Sequence, residues 1–205
     1  MQEMLKELKN FFSKQDSPFN IAIFRIVFFF FILIGLNKDQ ILHSSELPAE
    51  LKFPPVGLHH LLDFIPINSD LAQTGISLFM FFCFLAMIGC FTRISSFLAA
   101  VCGLYVIGIP QFYGKVSHHH HLIWFMFIFS SCRCADVLSI DSIRKAFKEA
   151  DQGIVSNNLK SNEYALPLRY IWLLMGVIYF FPGLWKIITS QLYWAFSDNM
   201  KYQLY

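Results

Sequence analysis

The sequence predicts an all-α, polytopic transmembrane helix bundle of about five spans with a cytoplasmic N-terminus. Composition, hydropathy and the clustering of apolar residues carry that expectation. Hydrophobic residues are 56% of the 205 and charged residues only 15%, against about 25% charged in ordinary soluble domains. Mean hydropathy is +0.49, and with 24 phenylalanines the chain holds more apolar surface than a globule of this length can hide. The apolar residues also gather into runs that are nearly free of charge, as a bilayer crossing demands. A water-soluble enzyme, a disordered chain and a small disulfide scaffold are therefore excluded. A net charge of +2, scattered along the chain, is too small for nucleic-acid binding.

A helical crossing takes about 20 mostly apolar residues for about 30 Å of hydrocarbon. The first expected span, residues 21–36, holds one charge, Arg25. Its length, and its exit through Asn37, Lys38 and Asp39 without a small-residue cleavage site, make it a permanent anchor rather than a signal peptide. The second, residues 71–92, is uncharged and lies between Asp70 and Arg93. The third, residues 94–114, ends at Lys115. The fourth, residues 118–132, opens in a histidine run and closes before Arg133, and the fifth, residues 170–189, contains Lys186. Together they make one transmembrane domain over residues 1–205.

With the N-terminus inside, ten lysines and arginines fall on inner segments and four on outer ones, with Arg25 and Lys186 inside spans. That is the bias of cytoplasmic loops. All seven histidines then lie outside, and all five cysteines lie within spans or at inner ends. An odd number of inward cysteines is not a disulfide framework, and Cys132 and Cys134 read as structural sulfur. Within the outer loop, VGLHHLLDFIPI (residues 56–67) can lie along the membrane as an amphipathic helix. On the inner side, SIDSIRKAFKEA (residues 139–150) reads as a helix capped by Asp141 or Ser142, with Ile143 and Phe147 on one face and its lysines toward water. A flexible linker follows from Gly153 to Ser161.

Ionisable groups inside a span are costly and mark function by default. Lys186 follows Pro182 and Gly183, which lie on its own helix face one turn back. Proline cannot donate to the carbonyl of Ile178, so the freed carbonyl, the glycine and Tyr179 can form a polar notch. Burial there would make a neutral lysine available as a base. The alternative is that Lys186 snorkels to the outer boundary. His118, His119, His120 and His121 open the fourth span, and His118 and His121 share a helix face. They can orient a substrate oxygen, relay protons or join a metal site, or be simply solvated. Arg25 invites snorkelling or pairing with a carbonyl, and no chemistry. Both the histidine run and Lys186 fall near the outer leaflet, as one shared site requires.

Four segments resemble the HTTM superfamily, which includes the vitamin K-dependent γ-glutamyl carboxylases: Ser17-Pro18 with IAIFRIVFF, GKVSHHHHLIWF, ADVLSIDS, and LRYIWLLMGVIYFFPGLWK. The resemblance covers most of the chain. It implies that Lys186 is the catalytic base that deprotonates a vitamin K-like quinol. It also places the catalytic histidine at His118, or at His119 with a one-residue shift. Oxygen addition to the deprotonated quinol is implied to generate the strong base that takes the γ-proton of a glutamate; Tyr179 of the notch and His121 on the face of His118 are the candidate substrate-binding residues. Carboxylases continue past the position of Tyr205 with further spans and an outer β-rich domain, so the expectation is a truncated member of the superfamily in a bacterial inner membrane. Its partners are the lipid bilayer and a protein or peptide substrate, or a partner membrane subunit. Two other readings stay open. One is a non-catalytic protein of peptide or toxin maturation, export or immunity, as in the sporulation-delay branch. The other is a metal- or haem-binding subunit that uses the histidines.

Overall fold

In the computed structural model, Ser17 opens the first long helix: its hydroxyl accepts from the Phe19 N–H, and Pro18 takes the first helical position, where no donor is needed. The structure describes residues 2–53, 66–113, 119–153 and 160–190, and among these it is helical, without strands. The helices are α1 (Gln2–Ser13), α2 (Pro18–Gly35), α3 (Lys38–Glu46), α4 (Ser69–Ile88), α5 (Thr92–Gly108), α6 (His120–Ser131), α7 (Ile140–Asp151) and α8 (Asn162–Ser190). Two compact units divide the chain, Met1–Leu168 and Arg169–Tyr205.

Among the described residues, four helices are long and apolar enough to cross a membrane: Pro18–Gly35, Ser69–Ile88, Thr92–Phe112 and Asn162–Thr189. They fall on the first, second, third and fifth expected spans. Over the fourth, α6 has twelve residues, about 18 Å at 1.5 Å per residue, short of a bilayer's hydrocarbon. It ends because Cys132 turns extended, which turns the chain so that Arg133 reaches Asp136 at 2.7 Å and Glu163 at 2.8 Å. The expected surface helix at residues 56–67 lies outside the described residues apart from its last two, and so does the linker at 154–159.

Within the first unit, α4 packs on α2, α3 and α5, and α5 packs on α6. Small residues allow the α4–α5 approach. The Gly103 position faces the Phe79 ring and Gly75 faces Tyr105, each so tightly that a Cβ would sit 3.0–3.1 Å from the ring. Large side chains fill the space between α2 and α6 instead. Phe24, Phe28 and Phe29 meet Phe125 and Phe129 with ring centroids 5.3–6.4 Å apart, separations favourable for aromatic pairs.

Where α4 ends and α5 begins, three residues reverse the chain. Gly89 adopts a left-handed conformation, φ 72°. The Cys90 N–H returns to the Leu85 carbonyl and the Gly89 N–H to Ala86, which closes the helix in the Schellman manner. Phe91 is also left-handed, φ 47°. The carboxylate of Asp141 caps α5 from outside, accepting from the Phe91 N–H (2.9 Å), the Thr92 N–H (2.8 Å) and the Thr92 hydroxyl (2.9 Å). This corrects the sequence expectation that Asp141 or Ser142 caps its own helix. Ser139 is that cap, and Ser142 completes a reciprocal capping box with it. Asp141→Ala strips α5 of its cap and should cost about 1–2 kcal/mol, read as a lower melting temperature in detergent. An unchanged melt would show that water caps α5 equally well.

Arg25 ties this turn to the bundle. It is fully buried, and its guanidinium donates to the Cys134 carbonyl at 2.9 Å and to the Leu138 carbonyl at 2.6 Å. Carbonyl pairing is thus realised and snorkelling is not. The held segment is itself strained, with Leu138 at φ 52°.

Candidate functional site: an apolar cavity with a polar end

At the opposite end of the first unit from Arg25, the chain leaves α2 through Leu36 and restarts at once. Asn37 accepts from the Gln40 N–H at 3.1 Å and so caps α3. This tight junction holds Asn37 and Gln40 beside the last turn of α2. Beyond α5 the chain tightens into a 3-10 turn, Ile109–Phe112, whose Pro110 is buried. His119 immediately precedes α6, and its carbonyl accepts the Leu122 N–H at 3.1 Å.

These pieces border an open cavity of about 440 Å³, within the roughly 300–1,000 Å³ usual for small-molecule sites. Phe24, Val27, Phe28, Phe31 and Ile32 of α2 form one wall, with Leu122 and Phe125 of α6 and Ile107 and Pro110 of the α5 end completing it. From Phe24 to Gly35 the α2 wall runs about 16 Å at helical rise. Asn37, Gln40 and His119 are the polar residues of the lining, and Gly35 leaves space beside them. An amide pair and an imidazole can donate to and accept from one polar head, while aromatic walls take a flat apolar body.

Among the residues singled out in the sequence, His119 lines this cavity. His121 is half-buried on α6, its ring edge-on to Phe125 at 5.6 Å, and Phe125 is itself part of the wall. His118 lies outside the described residues. Lys186 and Tyr179 belong to the second unit, exposed on α8, which continues unbroken through Pro182. The notch expected to bury Lys186 is not built by the helix itself. Among the described residues, no group of three His, Cys, Asp or Glu side chains converges as a metal site would.

Sequence reasoning passed over Asn37 and Gln40. Their signal was the break NKDQ directly after the first apolar run, which reads locally as a polar exit and helix cap. Only the packing of α3 against α4 and the 3-10 turn shows that this exit borders a cavity. Compared with family models, curated proteins and solved structures, the chain matches none.

Proposed function

We propose that the chain is a multi-pass integral membrane protein of the HTTM type, N-terminus cytoplasmic, that binds a lipophilic, vitamin K-like quinol and uses it in carboxylase- or epoxidase-like chemistry. The observation that supports this reading best is the cavity, with four phenylalanines along its walls and Asn37, Gln40 and His119 at one end. The residues fit a quinol: Phe28 and Phe125 would hold a flat ring, and Asn37, Gln40 and His119 could hydrogen-bond a hydroxyl. When bound, the quinol supplies on oxidation the strong base the reaction needs. The chain's own residues bind and prepare it. His119 would orient a hydroxyl and the phenylalanines would hold the ring, while the resemblance to the HTTM superfamily assigns the base to Lys186, with Tyr179 two turns before it on α8.

The test is oxygen-dependent epoxide formation from vitamin K hydroquinone by the full chain in vesicles. Lys186→Ala is expected to abolish epoxide formation and leave quinol binding intact. His119→Ala should weaken binding about tenfold, or 1.4 kcal/mol. Equal turnover by wild type and Lys186→Ala would overturn the role of the lysine and favour a non-catalytic membrane partner.

A further inference from the structure

The helix α7 buries none of its residues, yet it has one apolar side. At 100° per residue, Ile140, Ile143, Phe147 and Ala150 share a face, and the side chains of Ile143 and Phe147 are 56% and 72% exposed. Leaving a phenylalanine in water forgoes about 1.5–3 kcal/mol, and a twelve-residue helix is marginal in water without packing. Something outside the described chain therefore meets this face.

Three features name the occupant. First, the start of α7 is fixed in height. The Asp141 N–H donates to the Gly89 carbonyl at 2.9 Å, while its carboxylate holds Phe91 and Thr92. Residues 89–92 are the joint of two helices of membrane length, so α7 begins where those helices leave the hydrocarbon. Second, exposed apolar side chains surround that start, Phe91 at 59% and Leu138 at 48%. Third, cations edge the apolar face. Arg144 lies over the Phe91 ring at 4.7 Å, and Lys148 follows one turn later on the same edge, with Asp151 at the far end. Lys145 pairs with Glu149 on the opposite, polar side at 3.8 Å. An apolar stripe with basic residues along its border, held at the bilayer's edge, is the pattern of a helix lying in the interface.

We propose that α7 is an interfacial helix docked on the phospholipid leaflet at the α4–α5 joint. Ile143 and Phe147 enter the acyl-chain boundary, and Arg144 and Lys148 meet lipid phosphates. This rests on the reading that α4 and α5 cross the bilayer, so the test must tell the two apart. The full chain is made with a benzophenone side chain at one position at a time: Phe147→p-benzoylphenylalanine, the same change at Glu149, and the same at Ile94, an exposed residue of α5. Each is reconstituted in phosphatidylethanolamine and phosphatidylglycerol vesicles, irradiated, and weighed intact. Positions 94 and 147 are expected to gain the mass of one phospholipid, several-fold more often than position 149. Lipid at 94 with none at 147, or a protein adduct at 147, overturns the interfacial helix alone. Equal lipid at 147 and 149 also overturns it, because the helix would then be immersed rather than one-sided. Absence of lipid at 94 overturns the crossing itself, and the proposal with it.

Discussion

Gly89→Ala is expected to prevent accumulation of folded protein. A Cβ at this position would overlap the Ser139 Cβ, lie 2.9 Å from the Ser139 Cα and approach Arg25 Nη1 to 3.0 Å. Ser139 cannot retreat cheaply, because its hydroxyl caps α7 and its neighbours carry the carbonyl held by Arg25 and the carboxylate that caps α5. The left-handed backbone adds about 1–2 kcal/mol for a residue with a side chain. Displacing Ser139 also loosens the Asp141–Gly89 hydrogen bond and the Arg25 contacts, each worth about 1 kcal/mol net. The sum, about 4–5 kcal/mol, is a large part of the roughly 5–15 kcal/mol that holds a domain together. Size-exclusion profile and melting temperature after membrane extraction measure it. A variant as monodisperse and as heat-stable as wild type would mean that the α6–α7 connection yields far more easily than its hydrogen bonds imply.

Gly35→Leu is expected to do the reverse, abolishing ligand binding in a protein that folds as well or better. No atom lies within 4 Å of a Cβ built at Gly35, and the residue lines the cavity beside its polar end. The new side chain therefore enters free volume without pushing on the bundle. Replacing glycine in the last turn of α2 also removes a conformational cost of about 0.5–1 kcal/mol. Equilibrium binding of vitamin K hydroquinone should fall by more than about tenfold, or 1.4 kcal/mol, while the melting temperature holds or rises. Unchanged affinity would show that the quinol sits elsewhere. Lowered affinity with a collapsed melt would show that the cavity supports the fold rather than a ligand.

The long helices were legible because a bilayer imposes length and apolarity on a local run, and both are countable. Their ends were less so. Reading the second span to the charge at Arg93 overshot, because α4 stops at Ile88, where Gly89 can turn left-handed, and begins at the Asn68 cap. Charges report where the chain meets water, whereas caps report where hydrogen bonding stops, and here the two differ by about one turn. Carbonyl pairing for Arg25 was among the possibilities, but its partners lie 109 and 113 residues away, beyond any local pattern. The role of Asp141 escaped for the same reason: it sits in the first turn of one helix and caps another. At the candidate site, the histidine run announced itself, but the run could not select a member. His119 reaches the cavity lining because the α2–α3 junction, the α5 end and the start of α6 meet there, and no single segment carries a mark of that meeting.

The burial of Arg25 has a consequence for how the chain is made. Its two carbonyl partners are synthesised more than a hundred residues after it, which at 5–20 residues per second is on the order of ten seconds. During that interval the first long helix carries a charge worth about 2.5–3.5 kcal/mol against insertion at mid-helix. The thirteen Phe, Ile, Leu and Val residues of the same helix, at roughly 0.3–0.6 kcal/mol each, outweigh that cost, but the guanidinium's final carbonyl partners do not yet exist. Docking of the guanidinium is thereby timed by the segment after the sixth helix, and a chain interrupted before residue 134 lacks both of its carbonyl partners.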